Sequence, residues 1–275
     1  MTSGVERRAS VRPRKSLGQH FLRDGGVARK IVTALNVQPG ELLLEIGPGT
    51  GALTAHLMET GARLVLVELD PRAVELLRAG PGAAAAEVIE GDILSTDLSA
   101  IAQRSPGGML RVVGNIPYNI TSPILFHLLD NRRLIIDATL MMQREVARRL
   151  VAHAGSKDYG ILSVFTQFYA RPRMLFDVQP HCFAPPPGVI STVVQLEMRR
   201  ATLVAALDEG HFRRMVRGVF SQRRKTLRNS LRTILGERVR ELPEDLPLNR
   251  RPEQLAVEEL VALSNALVRH EAGRP

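Results

Sequence analysis

Residues Glu41 to Thr54 read ELLLEIGPGTGALT. A short apolar run, Glu41 to Ile46, ends in three glycines at alternate positions, Gly47, Gly49 and Gly51. Helical spacing follows in ALTAHLMET, stopped by Gly61. A strand that is apolar almost without interruption is buried on both faces, the habit of a parallel sheet flanked by helices. Working outward, RLVLVEL (Arg63 to Leu69), AEVIEGD (Ala86 to Asp92), LRVVGN (Leu110 to Asn115) and IIDATLMMQ (Ile135 to Gln143) read as four more strands. Between them PRAVELLRAG has Pro71 at a helix start and Gly80 at its end, and SPILFHLLD is a further helix. Upstream, GGVARKIVTAL has helical spacing at Val27, Ile31, Val32 and Leu35. Strand and helix in alternation imply an α/β fold, a Rossmann-like doubly wound sheet with right-handed crossovers. Such sheets bind ligands beyond the carboxyl ends of their strands. The sequence puts Gly47 to Gly51, Glu68, Asp92 and Asn115 to Tyr118 at those ends.

After about residue 200 the pattern changes. Phe212, Met215, Val216, Val219 and Phe220, then Leu227, Leu231, Ile234 and Leu235, lie at helical spacing. A Pro-containing joint, ELPEDLPLNRRPEQL, leads into a last helix, AVEELVALSNALV. The expected organisation is a flexible basic tail over 1–15, an α/β domain over 16–200 and a small all-α domain over 201–275.

The net charge of +9 points to a polyanionic partner, a nucleic acid or an anionic membrane surface. Its distribution sharpens this. Residues His211 to Arg240 hold ten Lys/Arg and one acid, Glu237; Met1 to Lys30 hold eight Lys/Arg against Glu6 and Asp24. A single cysteine, Cys182, excludes an internal disulfide and a cysteine-based zinc site. The histidines show no pair at metal-ligand spacing, so no metal is expected. No apolar run approaches the length of a membrane span, and the N-terminus lacks the apolar core of a signal peptide. A soluble cytoplasmic protein acting as a monomer is expected.

The glycine loop leaves its ligand open. A P-loop would end in Gly-Lys-Ser/Thr, which is missing. A dinucleotide fingerprint tolerates Ala52 at its last position, so NAD remains possible. S-adenosylmethionine carries no phosphate and needs glycine only for close backbone approach. Glu68 can accept two ribose hydroxyls under either reading. Asp92 can accept from an adenine amino group, or cap the residues that follow it.

The stretch GNIPYN, Gly114 to Asn119, ends a buried strand in an amide, a proline and a ring. An exocyclic adenine amine is a weak nucleophile because its lone pair is delocalised into the ring. An amide oxygen and a backbone carbonyl accepting its two N–H bonds would favour the pyramidal form and spread the developing positive charge. Asn115, the carbonyl of Ile116 and the ring of Tyr118 supply acceptors and a stacking face, with Pro117 limiting the loop. The group reads as a clamp for a base taken out of its stack.

With KSLGQHFL, EIGPGTGALT, VELD, EGDIL, GNIPYNITSPILFHLL, MMQREVARRL, FAPPPGVISTVVQL and FSQRRKTLRNSL in this order, the chain resembles the ribosomal RNA adenine-N6 dimethyltransferases of the bacterial KsgA type. The resemblance implies a class I S-adenosylmethionine-dependent methyltransferase sheet with a helical C-terminal domain. It implies dimethylation of two adjacent adenines near the 3′ end of 16S rRNA, within the small ribosomal subunit or its precursor, and a part in subunit biogenesis. By matching motif it makes His20, Leu22, Gly47, Glu68, Asp92 and Asn115 cofactor residues, with Gly49 in the same loop, and sets Phe183 opposite Tyr118 across the base. Position 20, often Asn in the family, is His here, and the contact is expected to survive with altered pH dependence. Gly188 stands where the family commonly has Lys.

The basic stretch RRMVRGVFSQRRKTLR suggests phosphate contacts by Arg213, Arg214, Arg217, Arg223, Arg224, Lys225 and Arg228, which position RNA and leave base choice to the pocket. Three rivals remain: the related 23S RNA methyltransferases of macrolide resistance, a ribosome-assembly or transcription-associated binding module without activity, and a dinucleotide oxidoreductase.

Overall fold

The computed structural model describes residues 11–14, 17–80, 86–244 and 246–272. Residues 1–10 and 15 of the expected tail lie outside that range. The strands are β1 (Phe21–Leu22), β2 (Leu42–Ile46), β3 (Arg63–Glu68), β4 (Ala86–Glu90), β5 (Leu110–Asn115), β6 (Ile135–Gln143), β7 (Ala170–Val178), β8 (Phe183–Ala184) and β9 (Ser191–Met198). The helices are α1 (Gly25–Leu35), α2 (Thr54–Met58), α3 (Pro71–Ala79), α4 (Leu98–Ala102), α5 (Thr121–Asp130), α6 (Arg144–Val151), α7 (Ile161–Tyr169), α8 (Glu209–Ser221), α9 (Leu227–Leu235) and α10 (Val257–Ala272).

Seven strands form one sheet in the order β4-β3-β2-β5-β6-β9-β7. The pairs β2·β3, β3·β4, β2·β5 and β5·β6 are parallel. The chain leaves β2 to build one side of the sheet and returns to build the other from β5, so the order reverses between β2 and β5. Loops leaving those two carboxyl ends diverge and open a crevice. Every residue of β2 is buried, as its apolar run requires. Gly114 in β5 permits the close approach of the two central strands, because a Cβ there would lie 2.6 Å from the Ile46 carbonyl oxygen.

Helix starts follow their capping residues. The Asp24 carboxylate accepts from Val27 N at 3.0 Å to open α1. Asp70 does the same for α3, accepting from Arg72 N, with Pro71 in the first turn. The core above β2 gathers Ala28, Ile31 and Leu35 of α1 with Leu43, Leu57, Leu64, Leu66 and Val113. At the amino ends of the strands, buried Arg111 donates to both Asp137 oxygens (2.9 and 2.6 Å) and to the Leu35 carbonyl at 2.6 Å.

Four strands were not anticipated. β7 carries Arg171, Pro172, Arg173 and Asp177, is half exposed, and lies at the sheet's edge, where charge and proline are tolerated. β1 and β8 are two residues each and pair antiparallel, too short for any periodic signal. β9 begins at Ser191, within the motif FAPPPGVISTVVQL, which carried no expectation of a strand.

By contacts the chain divides into residues 1–144 with 174–196, and residues 145–173 with 197–275. Residues 145–173, expected within the α/β domain, thus group with the C-terminal helices. Within this second unit Phe165 and Phe168 of α7 meet Phe212 of α8 with ring centroids 6.2 and 4.6 Å apart. Leu203 N donates to the Phe168 carbonyl and Arg199 N to that of Tyr169. A boundary read at the change of pattern near 200 could not register that α7 joins the later helices.

Candidate functional site

A cavity of about 190 Å³ opens at the carboxyl ends of β2, β3, β4 and β5. His20, Gly47, Gly49, Glu68, Asp92 and Asn115 line it, together with Ile116, Pro117 and Tyr118. The residues expected to hold a cofactor and those expected to hold a base therefore share one space. Leu22 and Phe183 are the exceptions.

The glycine loop is shaped by Glu68 and by Phe21. Gly49 has φ +56°, and a Cβ on it would fall 2.8 Å from the Phe21 ring. Its N–H donates to Glu68 Oε2 at 2.9 Å, and Asp70 N donates to Oε1 at 2.9 Å. Glu68 is 6% exposed, and burial raises its pKa against the lowering effect of those bonds. Each oxygen keeps lone-pair capacity for a hydroxyl. Asp92 is both of the things the sequence allowed. Its Oδ1 accepts from Leu94 N at 2.9 Å, and Oδ2 accepts from no described residue.

At the end of β5, Asn115 Nδ2 donates to the His20 carbonyl at 2.8 Å. This sets the amide and leaves Oδ1 as the available acceptor. The Ile116 N–H donates to the Met141 carbonyl at 3.2 Å, which fixes the peptide that follows the strand. Thr121 Oγ1 donates to the Pro117 and Tyr118 carbonyls at 3.1 and 3.3 Å, closing the loop. The Tyr118 hydroxyl shares a hydrogen bond with buried Ser191 Oγ, and burial raises the phenol's pKa, so the ring stays neutral.

The expectation for Phe183 is corrected. Phe183 pairs with Leu22 across β1 and β8, and both side chains enter the same core as Met141, Val178 and Cys182. At 3% exposed, Phe183 does not face the cavity. Paired residues on neighbouring strands share a face, and here the face is interior. Leu22 likewise contributes packing, bordering only a small hollow beside Gly47 and Asn115. The ring beside Tyr118 is His20.

Sequence reading missed Leu69 and Ile93, apolar walls of the cavity immediately after Glu68 and Asp92. Leu69 is 48% exposed, and an apolar residue directly behind an acidic strand end was the available signal. It also missed Gln19, which donates to Asp70 Oδ2 at 3.1 Å and ties the segment before β1 to the cavity rim.

The lining holds two carboxylates, and no lysine or arginine among the described residues. A cation beside hydroxyl-bearing sugar is suited. The residues fit S-adenosylmethionine, whose ribose Glu68 would accept and whose adenine Asp92 would meet beside Leu69 and Ile93.

The basic residues lie in the second unit. Arg214, Arg217, Arg224, Lys225 and Arg228 are exposed. The Arg213 and Arg217 guanidinia lie 5.8 and 5.9 Å from the Phe165 ring centroid. Arg223 differs from the expectation: it pairs with Glu253 at 3.0 Å and donates to the Lys157 carbonyl at 2.8 Å, an internal fastening. Gly188 is exposed, and a Cβ there would meet nothing within 4 Å.

Comparison with known proteins agrees with this chemistry. Residues 11–268 match the family model described as ribosomal RNA adenine dimethylase. A ribosomal RNA small subunit methyltransferase A from Pseudomonas aeruginosa is 43% identical over 257 residues, covering 93% of this chain and 95% of its own. Among solved structures, a dimethyladenosine transferase from Plasmodium falciparum is 25% identical with a TM-score of 0.75, covering 92% of this chain and 98% of its own. The 23S rRNA methyltransferase ErmE is 28% identical with a TM-score of 0.63, covering 88% and 98%.

Proposed function

The chain belongs to the ribosomal RNA adenine dimethylase family, and we propose that it dimethylates N6 of two adjacent adenines near the 3′ end of 16S rRNA, in the small subunit or its precursor. The observation that carries this reading is the single cavity in which Glu68 and Asp92 stand beside Asn115, Ile116, Pro117 and Tyr118. S-adenosylmethionine, when bound, supplies an electrophilic methyl on a sulfonium. Asn115 Oδ1 accepts one N–H of the target amine and the Ile116 carbonyl the other, which localises the nitrogen lone pair and disperses the charge that develops on it. Tyr118 stacks on the base and sets its plane. Pro117, with φ −58°, limits the loop that carries these groups.

The choice of small-subunit RNA is supported by 43% identity to the Pseudomonas small-subunit enzyme, against 28% to the large-subunit enzyme ErmE. Exposed Arg214, Arg217, Arg224, Lys225 and Arg228 serve as phosphate contacts, with Arg213 beside them. The enzyme acts as a cytoplasmic monomer, where immature subunits are its substrate, and it contributes to their maturation.

The test uses small and large subunits from a strain lacking the protein, incubated with it and labelled S-adenosylmethionine, then read by primer extension. Two stops at adjacent adenines near the 3′ end of 16S rRNA are expected. Labelling of 23S rRNA instead, or of neither, refutes the reading.

A further inference from the structure

Tyr118 has a ring partner that the mechanism above does not use. The His20 imidazole stacks on it with centroids 5.4 Å apart and planes inclined by 26°. A base held between two rings needs them roughly 7–8 Å apart, two contacts of about 3.5–4.0 Å each. The gap is too small for a base, so the two rings form one slab.

His20 is held from several directions. Its Nδ1 lies 2.8 Å from the Pro185 carbonyl oxygen. A carbonyl only accepts, so Nδ1 carries the proton, and the tautomer and ring orientation are set by that bond. Its backbone carbonyl accepts from Asn115 Nδ2 at 2.8 Å. The next two residues pair with Phe183 and Ala184. Three segments that are distant in sequence, 17–22, 115–120 and 183–185, therefore meet at one side chain. Tyr118 in turn is fixed at its far end by Ser191. Its plane is thus defined at two points, the hydroxyl and the stacked face.

We propose that His20 is a positioning residue for methyl transfer: its imidazole backs Tyr118, and the target adenine stacks on the opposite face of that tyrosine. The inference rests on the base-clamp reading above. The role belongs to the ring stack and to the bond to Pro185. Replacing His20 by alanine removes both but keeps the backbone bond to Asn115.

Four proteins test this: His20→Ala, His20→Phe, Tyr118→Leu, and the double variant His20→Ala with Tyr118→Leu. Single-turnover methylation of small subunits from the deficient strain is measured beside calorimetric S-adenosylmethionine affinity and melting temperature. A small misplacement of a reacting group costs from tenfold to about a hundredfold in rate. His20→Ala is expected to slow methyl transfer roughly tenfold even at saturating S-adenosylmethionine, where any loss of cofactor affinity is made good. His20→Phe, which restores a ring against Tyr118, should recover most of that loss. In the Tyr118→Leu background the alanine change should cost little more, because residues that act through one another are not additive. Additive losses, a phenylalanine variant as slow as the alanine one, or a loss confined to cofactor affinity would each overturn the inference. Absence of labelling by the unaltered chain would instead overturn the functional reading, and this inference with it.

Discussion

Asn115 and Glu45 are the two residues whose surroundings make the sharpest demands. The Asn115 amide is oriented by donating to the His20 carbonyl at 2.8 Å, so its oxygen is directed by structure before any base arrives. Asn115→Ala removes that acceptor and is expected to lower the rate of methyl transfer by about 10²- to 10³-fold, the cost of losing one aimed polar group. Cofactor affinity by calorimetry should fall far less; unchanged turnover would remove the mechanism. Glu45 lies directly beneath the glycine loop. It accepts from Thr54 Oγ1 at 2.7 Å, and burial, with neighbouring Glu68 adding, raises its pKa from 4.5 to about 8. The unfolded chain releases that proton near 4.5 and the folded chain near 8. Between those values the native state binds more protons, so stability falls as pH rises. Glu45→Gln keeps an acceptor for Thr54 and has no proton to lose. Its melting temperature between about pH 5 and pH 8 should decline less than that of the unaltered chain. Equal slopes in the two proteins would show that Glu45 does not carry the effect.

At the scale of elements, the central strands were legible because burial on both faces demands an unbroken apolar run. LLLEI and LRVVGN could hardly be anything else, and the observed β5 has the same bounds as its reading. The acidic and amide residues at strand ends followed from the topology. What could not be read was register. Phe183 sits in an ordinary-looking loop beside three prolines, and only its pairing with Leu22 turns it inward. One residue of slip exchanges the two faces of a strand, and sequence offers no signal for a two-residue strand. His20 beside Tyr118 was hidden for the same reason, since their contact joins segments almost a hundred positions apart. The closeness of β2 and β5 gives a prediction of its own. A methyl group on Gly114 would meet the Ile46 carbonyl oxygen at 2.6 Å, and that atom is backbone that cannot turn aside. Gly114→Ala should force the two strands apart and cost about 1–3 kcal/mol in denaturant unfolding, as overpacking does. Because Gly114 precedes Asn115, methyl transfer should fall as well. Unfolding at the unaltered midpoint would show that the strands can yield.

Across the whole molecule the net charge of +9 is the property a polyanion meets first. Composition pointed towards such a partner; it did not show which cations face it. Arg223 is committed to Glu253 and to the Lys157 carbonyl, whereas Arg214, Arg224, Lys225 and Arg228 stand exposed on and between α8 and α9. These two kinds of arginine should separate in experiment. Each phosphate that the protein no longer neutralises lowers the slope of log affinity against log salt by about 0.7 on single-stranded RNA. Replacing Arg214, Arg224, Lys225 and Arg228 together by serine should therefore flatten the salt dependence of small-subunit binding by up to about 3 and weaken binding most at low salt. The melting temperature should change little, because exposed charges contribute little to stability. Arg223→Ser should do the reverse: the melting temperature falls as the α8 end loses its fastening, while the salt slope stays near that of the unaltered chain. If the quadruple variant keeps the full slope, the RNA does not lie on this face, and the basic residues between His211 and Arg240 are a solvated surface only.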